Sequence, residues 1–199
     1  MSGRVERFDL RRIAAQPWKN GAGLTREIAI GPHGASAADF DWRFSVAEVE
    51  HAAPFSVFPG IDRCIVLVAG AGLQLRSDDG QLDRRLDVPG EPFHFSGDLP
   101  LSAEPVDGPS SDFNVMTRRG RLRSAVSRHQ ASTHLHADGV ALLLCVAGEW
   151  YTDEPELTAL GPLQGLLWRA GPVAIHVEPR RAAPGASLLF VRLCHDATP

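Results

Sequence analysis

The 199 residues predict an all-β chain of sandwich or barrel type, with little helix, built from two copies of one β-unit. Three observations carry this. Short apolar segments recur between Gly, Pro and Asp clusters. No long segment has helical periodicity; the best helical stretch is a single turn at 155–159. An internal repeat sets Ile65-Val66-Leu67-Val68-Ala69-Gly70 beside Leu142-Leu143-Leu144-Cys145-Val146-Ala147-Gly148, each a buried strand closed by a glycine turn.

Taken in order, 27–30 reads as the first strand. Residues 42–47 alternate strictly, Trp42, Phe44 and Val46 on one face and Arg43, Ser45 and Ala47 on the other, as a half-buried strand does. The apolar face is expected to pack on a second sheet, leaving Arg43 to point elsewhere, toward solvent. Residues 64–68 form a continuous β-branched run, Gly70-Ala71-Gly72 turns the chain into 73–76, and Ser77-Asp78-Asp79-Gly80 is a hairpin signal. Further strands are expected at 93–95, 114–117, 140–146, 173–177 and 188–193. The proline-rich stretches 102–112 and 178–187 read as loops. The divide falls near 118–124, giving an N-terminal unit 1–118 and a C-terminal unit 119–199.

Composition narrows the function. The chain is 44% hydrophobic and 22% charged, ordinary for a globular protein, and its formal net charge of −4 opposes a sequence-independent grip on nucleic acid. Lys19 is the only lysine, so cationic chemistry falls to arginine, whose planar fork suits carboxylates. Cys64, Cys145 and Cys194 are widely spaced, without a Cys-x-x-Cys, which fits a reducing compartment. The first residues carry no hydrophobic signal region. The longest apolar stretch, 139–148, falls short of the roughly 20 residues a membrane helix needs. A cytoplasmic protein without a membrane partner is the expectation.

Three segments carry a family resemblance. They are Pro17-Trp18-Lys19-Asn20-Gly21-Ala22-Gly23-Leu24-Thr25-Arg26-Glu27-Ile28, then Phe55-Ser56-Val57-Phe58-Pro59-Gly60-Ile61-Asp62-Arg63, then Phe95-Ser96-Gly97-Asp98 with Asp107-Gly108-Pro109 and 112–120. In this order they resemble the HutD/Ves family over roughly the first 120 residues. The resemblance implies a double cupin (bicupin) without a standard metal site, and a small-molecule-binding role in regulating histidine breakdown. Ala22 stands where the family usually has a glycine, which is tolerated if φ stays negative there.

A metal cupin carries His-x-His, four residues, Glu, six residues, then Gly. Anchored on Gly70, the glutamate position falls on Arg63 and the histidine positions on Phe58 and Ser56. A guanidinium repels a divalent ion, and phenylalanine cannot bind one. Arginine then supplies the positive charge, for a ligand carboxylate or for an internal partner such as Asp62 or Glu27; the two readings stand level. Arg43 with Ser45 is a second candidate, against a plain surface arginine. Lys19 and Asn20, followed by Thr25, Arg26 and Glu27, form either a loop at a ligand or a tight turn beside a surface ion pair. Asp112, Asn114 and Met116 share one strand face, on which the polar Asp112 and Asn114 need hydrogen-bond partners: a ligand amide or ammonium is one option, a backbone network the commoner one.

Other signals weigh less. His134-Leu135-His136 has no glutamate at cupin spacing, and His94 has no surviving partner set. His195-Asp196 lies at a C-terminus expected to be mobile. There is no Gly-x-Ser-x-Gly elbow. The cluster 118–123 reads as a solvated or salt-bridged arginine patch. The leading expectation is a binding module without metal or cofactor. It would take a small anionic metabolite such as urocanate or N-formylglutamate, with a homodimer compatible. The alternative is a metal-independent isomerase or hydrolase using Asp62, Glu27 or His94 as base. A histidine-ligated oxygenase and a protein-interaction module without a ligand are further rivals.

Overall fold

The computed structural model describes residues 5–154, 159–180 and 185–196. The described residues are almost entirely strand, with one short helical turn at Leu10–Arg12. None of their helices is long and apolar enough to cross a membrane. The expected helical turn at 155–159 lies mostly outside the described residues; Ala159 itself begins a strand. The described residues divide into two compact units, one of residues 13–123 with Asp196 and the other of residues 5–12 with 124–195.

In the unit 13–123 the strands are β2 (Gln16–Pro17), β3 (Gly23–Gly31), β4 (Trp42–Val49), β5 (Ala53–Phe55), β6 (Ile61–Ala69), β7 (Leu73–Ser77), β8 (Asp83–Leu86), β9 (Pro92–Ser96), β10 (Leu101–Pro105) and β11 (Ser110–Arg118). They form a six-stranded sheet, β2-β3-β4-β11-β6-β9, and a four-stranded sheet, β5-β10-β7-β8. Ile65, Leu67 and Phe95 of the first pack on Phe55, Leu73, Leu75, Leu101 and Ala103 of the second. The β7–β8 hairpin closes on the expected Asp-Gly turn.

In the other unit β1 (Val5–Asp9) pairs with β17 (Gln164–Trp168), and the sheet continues through β14 (Ala141–Ala147), β19 (Ser187–His195) and β12 (Leu122–His129). A smaller sheet holds β13 (Thr133–Asp138), β18 (Pro172–Pro179), β15 (Trp150–Thr152) and β16 (Ala159–Leu160). Leu143, Cys145, Leu166, Trp168, Leu188 and Phe190 pack on Leu135, Trp150, Val173, Ile175 and Val177.

Several expectations need correction. Residues 102–112 are not one loop: β10 and β11 occupy most of them, leaving only 106–109 as the turn. Pro105 is tolerated because it ends its strand. Within 178–187 only 178–179 and 187 belong to strands, and 181–184 lie outside the described residues. The C-terminus is strand through His195, and Asp196 pairs with Arg123 at 3.0 Å. The N-terminal strand pairs inside the later unit, so the division at 118/119 does not describe residues 5–12. The sheets are separate and open rather than closed barrels.

Candidate functional site

The six-stranded sheet presents one face to the interior of its unit, and strand register arranges that face in rows. Arg43, Met116, Arg63 and Phe95 are cross-strand neighbours in the first row. Glu27, Ser45, Asn114, Ile65 and Phe93 make the second, and Thr25, Ala47, Asp112 and Leu67 the third. Side chains alternate along a strand, so the polar positions of β4 face inward here. The expectation that Arg43 points to solvent is therefore corrected: its side chain is only 12% exposed and donates from Nε to Glu27 Oε2 at 2.8 Å.

A cavity of about 190 Å³ opens above these rows. Arg43, Arg63, Ser45, Ala47, Asn114 and Met116 line it from the sheet, with Thr25 from β3. Pro54, Phe55, Ser56 and Phe58 close it from β5 and the following loop, and Trp18 from the turn before β3. Trp18 is fixed by its indole N–H, which donates to Thr25 Oγ1 at 2.8 Å, and by an edge-on contact with Phe55. The loop 56–60 is fixed from outside. Phe58 N–H donates to the Gly97 carbonyl at 2.8 Å, and Gly60 N–H to Asp98 Oδ1 at 2.7 Å. The Gly60 amide, the Ser96 hydroxyl and Arg119 together hold the Asp98 carboxyl well below the usual range.

Arg63 is 6% exposed. Its guanidinium lies 4.9 to 5.7 Å from the ring centroids of Phe55, Phe58 and Phe95, within cation–π range. One of its five N–H donors is matched in the protein: Nη2 donates to Asn114 Oδ1 at 2.5 Å. Nε is buried without a partner. Asn114 passes the contact on, its Nδ2 donating to Asp112 Oδ1. Asp112 is fully buried and its Oδ2 has no partner. Burial pushes its pKa up to about 7, against the pull of Arg63 and the bond from Asn114. Burial likewise lowers Arg63 to about 10, with Asp112 acting in the opposite sense.

Of the residues singled out by sequence, Arg63, Ser56, Phe58, Arg43, Ser45, Thr25 and Asn114 meet at this cavity. Glu27 stands behind it as the partner of Arg43. The others stay outside. Asp62 follows Arg63's strand on the opposite face and pairs with Arg119 at 2.7 Å, so it is not the partner of Arg63. Arg26 pairs with Glu48 at 3.2 Å. Lys19 is exposed, and Asn20 accepts from the Ala22 amide, shaping a turn. Ala22 keeps a negative φ. Pro54 carries no sequence signal because β5 is three residues long, and Phe55 stands out only within the family motif; Ala47 and Met116 follow from the alternation that includes Ser45 and Asn114.

The remaining candidates also resolve. His94 is exposed on β9, pointing opposite to Phe93 and Phe95. His134 and His136 lie exposed on β13, His134 against His176 at 4.6 Å between centroids. Among the described residues no group of three or more His, Cys, Asp and Glu is placed to hold a metal. Cys64 and Cys145 are buried thiols pushed up to about 12 by burial, unsuited to nucleophilic work. Within the arginine cluster, Arg118 pairs with Asp39 and Asp41, Arg119 with Asp62 and Asp98, and Arg121 with Asp41.

The HutD family model matches residues 11–184. Protein Ves from Cronobacter sakazakii is 36% identical over 170 residues, spanning 84% of this chain and 88% of that one. The structure of HutD from Pseudomonas fluorescens SBW25, in a formate condition, superposes with a TM-score of 0.82 at 27% identity, covering 98% of this chain and all of that one. A cupin-like neighbour, the oxalate decarboxylase of Lactobacillus farciminis, shares the fold alone, with a TM-score of 0.61 at 9% identity over 94% of this chain and 85% of that one.

Proposed function

The chain belongs to the HutD family, and on that footing we propose that its unit 13–123 binds a small carboxylate metabolite at Arg63, in an accessory or regulatory role in histidine utilisation. Urocanate and N-formylglutamate are the candidate occupants. The two sheet pairs are read as the halves of a bicupin, which the repeated strand-and-glycine pattern supports.

One observation carries the reading: a nearly buried guanidinium at the base of a cavity, with a single protein acceptor. Leaving buried charged donors unmatched is costly, so the site is built for an added acceptor. A carboxylate offers two oxygens to the arginine fork. Phe55, Phe58 and Trp18 supply apolar walls, and Ser45, Ser56 and Thr25 supply hydroxyls to orient the occupant. A volume near 190 Å³ suits a small metabolite.

The donor set does not fit a metal. No imidazole, thiol or carboxylate lines the cavity, and two arginines do. The same lining favours binding over acid–base catalysis, since Asp62, Glu27 and His94 all fall outside it. Calorimetric or NMR titration of the purified protein with urocanate and N-formylglutamate tests the reading. Saturable binding that Arg63→Met abolishes is expected; no saturable binding at millimolar concentration of either compound overturns it.

A further inference from the structure

Charge counting inside the unit goes one step beyond carboxylate binding, and rests on that reading. The ionisable groups at the buried end of the cavity and directly behind it are few. Arg63 of β6 and Arg43 of β4 line it, and Asp112 of β11 and Glu27 of β3 stand behind the lining in the next rows of the same sheet face. Strands β5, β7, β9 and β10 contribute Phe55, Leu75, Phe95 and Ala103, which carry no charge. Arg43 is matched by Glu27, and Arg63 is matched through Asn114 by Asp112. The side chains of the interior therefore sum to zero charge when both carboxylates are ionised. Entry of one anion would leave a surplus negative charge in a poorly solvated space.

We propose that, when Asp112 is ionised, the cavity takes up a small carboxylate as its monoanion together with one proton from solvent, which lodges on Oδ2 of Asp112. The hydrogen-bond geometry selects that atom. Oδ1 of Asp112 already accepts from Asn114 Nδ2, while Oδ2 has no partner. Asn114 cannot turn its amide round without presenting N–H to Arg63, so its orientation holds the relay in one sense. Burial already brings Asp112 to about 7, and Arg63 is the main group opposing that rise. A ligand carboxylate on Arg63 cancels this opposition, so the proton is held more tightly in the complex. A dianion would require two protons and has one acceptor, which makes the cavity selective for monoanions and, of the two candidate occupants, favours urocanate over N-formylglutamate, which carries two carboxylates.

The test is an NMR titration of the full-length protein with sodium formate, the smallest carboxylate, from pH 6 to pH 9 at constant ionic strength. Affinity should be level below pH 7 and weaken about tenfold per pH unit above it. No lining residue is a histidine or cysteine whose own titration could produce that slope. At pH 8 the Asp112 side-chain carboxyl ¹³C resonance should move to its protonated position as formate is added. Asp112→Asn should bind at pH 8 as tightly as the natural protein at pH 6, with no slope; if that variant does not fold, the carbon resonance decides alone. Malonate, a dianion at pH 8, should bind there at least tenfold more weakly than formate, and equal affinity overturns the monoanion selectivity. Saturable formate binding of equal strength at pH 6 and pH 9 overturns proton uptake but leaves the carboxylate site standing. Absence of saturable binding by formate, urocanate and N-formylglutamate at pH 6 overturns both.

Discussion

Strands β6 and β14 both run into a glycine in the left-handed region, Gly70 at φ 97° and Gly148 at φ 82°. Counting back from those glycines sets Ile65 against Leu143 and Arg63 against Ala141. The strands beside them correspond too: β11 pairs Asn114 with Ile65 and Asp112 with Leu67, and β19 pairs Phe190 with Leu143 and Leu188 with Cys145. Both pairings shift register next to the same point, between Ser111 and Asp112 and between Cys145 and Ala147. Where one unit places Arg63, Asn114 and Asp112, the other places Ala141, Phe190 and Leu188. The first set leaves a cavity edged by unmet donors; the second is part of a continuous apolar core with Trp150 and Trp168. The same sheet construction lines a polar cavity in one unit and packs an apolar core in the other, and these three positions mark the difference.

Moving the arginine across is the severest way to break the comparison. Ala141→Arg forces a large cation into a fully buried position where the side chains of Leu143, Phe190 and Trp168 offer no hydrogen-bond acceptor. Burying an unpaired charge with overpacking should destabilise by about 5 kcal/mol or more. Loss of soluble, cooperatively unfolding protein is the outcome to look for; a variant melting like the natural chain would mean the second interior is looser than its packing indicates.

The reverse exchange comes next. Arg63→Met keeps volume and removes the cation, giving the first unit an interior nearer that of the second. Affinity for urocanate or N-formylglutamate should fall by about 4 kcal/mol, near a thousandfold. The fold should survive, because Met can pack among Phe55, Phe58 and Phe95. Circular dichroism alongside calorimetry separates lost binding from lost structure.

Much of this contrast was legible beforehand, and the illegible part has physical reasons. The repeat, the glycine turns and the two-residue alternation of 42–47 all depend on local periodicity, which the chain carries openly. Arg63 could be picked out because its distance from Gly70 is a local spacing. The inward direction of Arg43 could not, because alternation says which residues share a face but not which face is covered. Both faces of β4 are largely buried here, Phe44 and Val49 fully, so apolarity did not discriminate inside from outside. The Arg63–Asn114–Asp112 relay links positions 51 residues apart, a register that no local pattern encodes. β1 pairs with β17 at still longer range, as Val5 with Trp168.

Asp112 sharpens the comparison through pH, since Leu188 at the corresponding place cannot titrate. The folded protein holds the Asp112 proton up to about pH 7, whereas the unfolded chain releases it near 4. The fold therefore binds more protons between these values, and its stability falls as pH rises through that window. Replacing Asp112 with Asn removes this contribution. Relative to the natural protein, the variant should gain about 2–3 kcal/mol between pH 5 and pH 8. Urea unfolding at both pH values measures it, and a pH-independent difference would show that the carboxyl is not held protonated by burial.

The smallest effect concerns the second arginine of the cavity, which has no charged counterpart among the packed side chains of the other interior. Arg43 is held by Glu27, a partner about one-third exposed, so the pair is only partly shielded from water. Converting Glu27 to Gln keeps an acceptor for Arg43 Nε while removing the opposing charge. The cavity then gains net positive potential without gaining a donor. Affinity for a carboxylate should rise by about 1 kcal/mol or less, a few-fold, and more at low salt than at high salt. An unchanged affinity across ionic strength would mean that Arg43 shapes the wall and Arg63 alone attracts the anion. A loss of affinity would mean that Glu27 positions Arg43 for direct contact, and Glu27→Asp, which retains the charge at shorter reach, would then recover part of it.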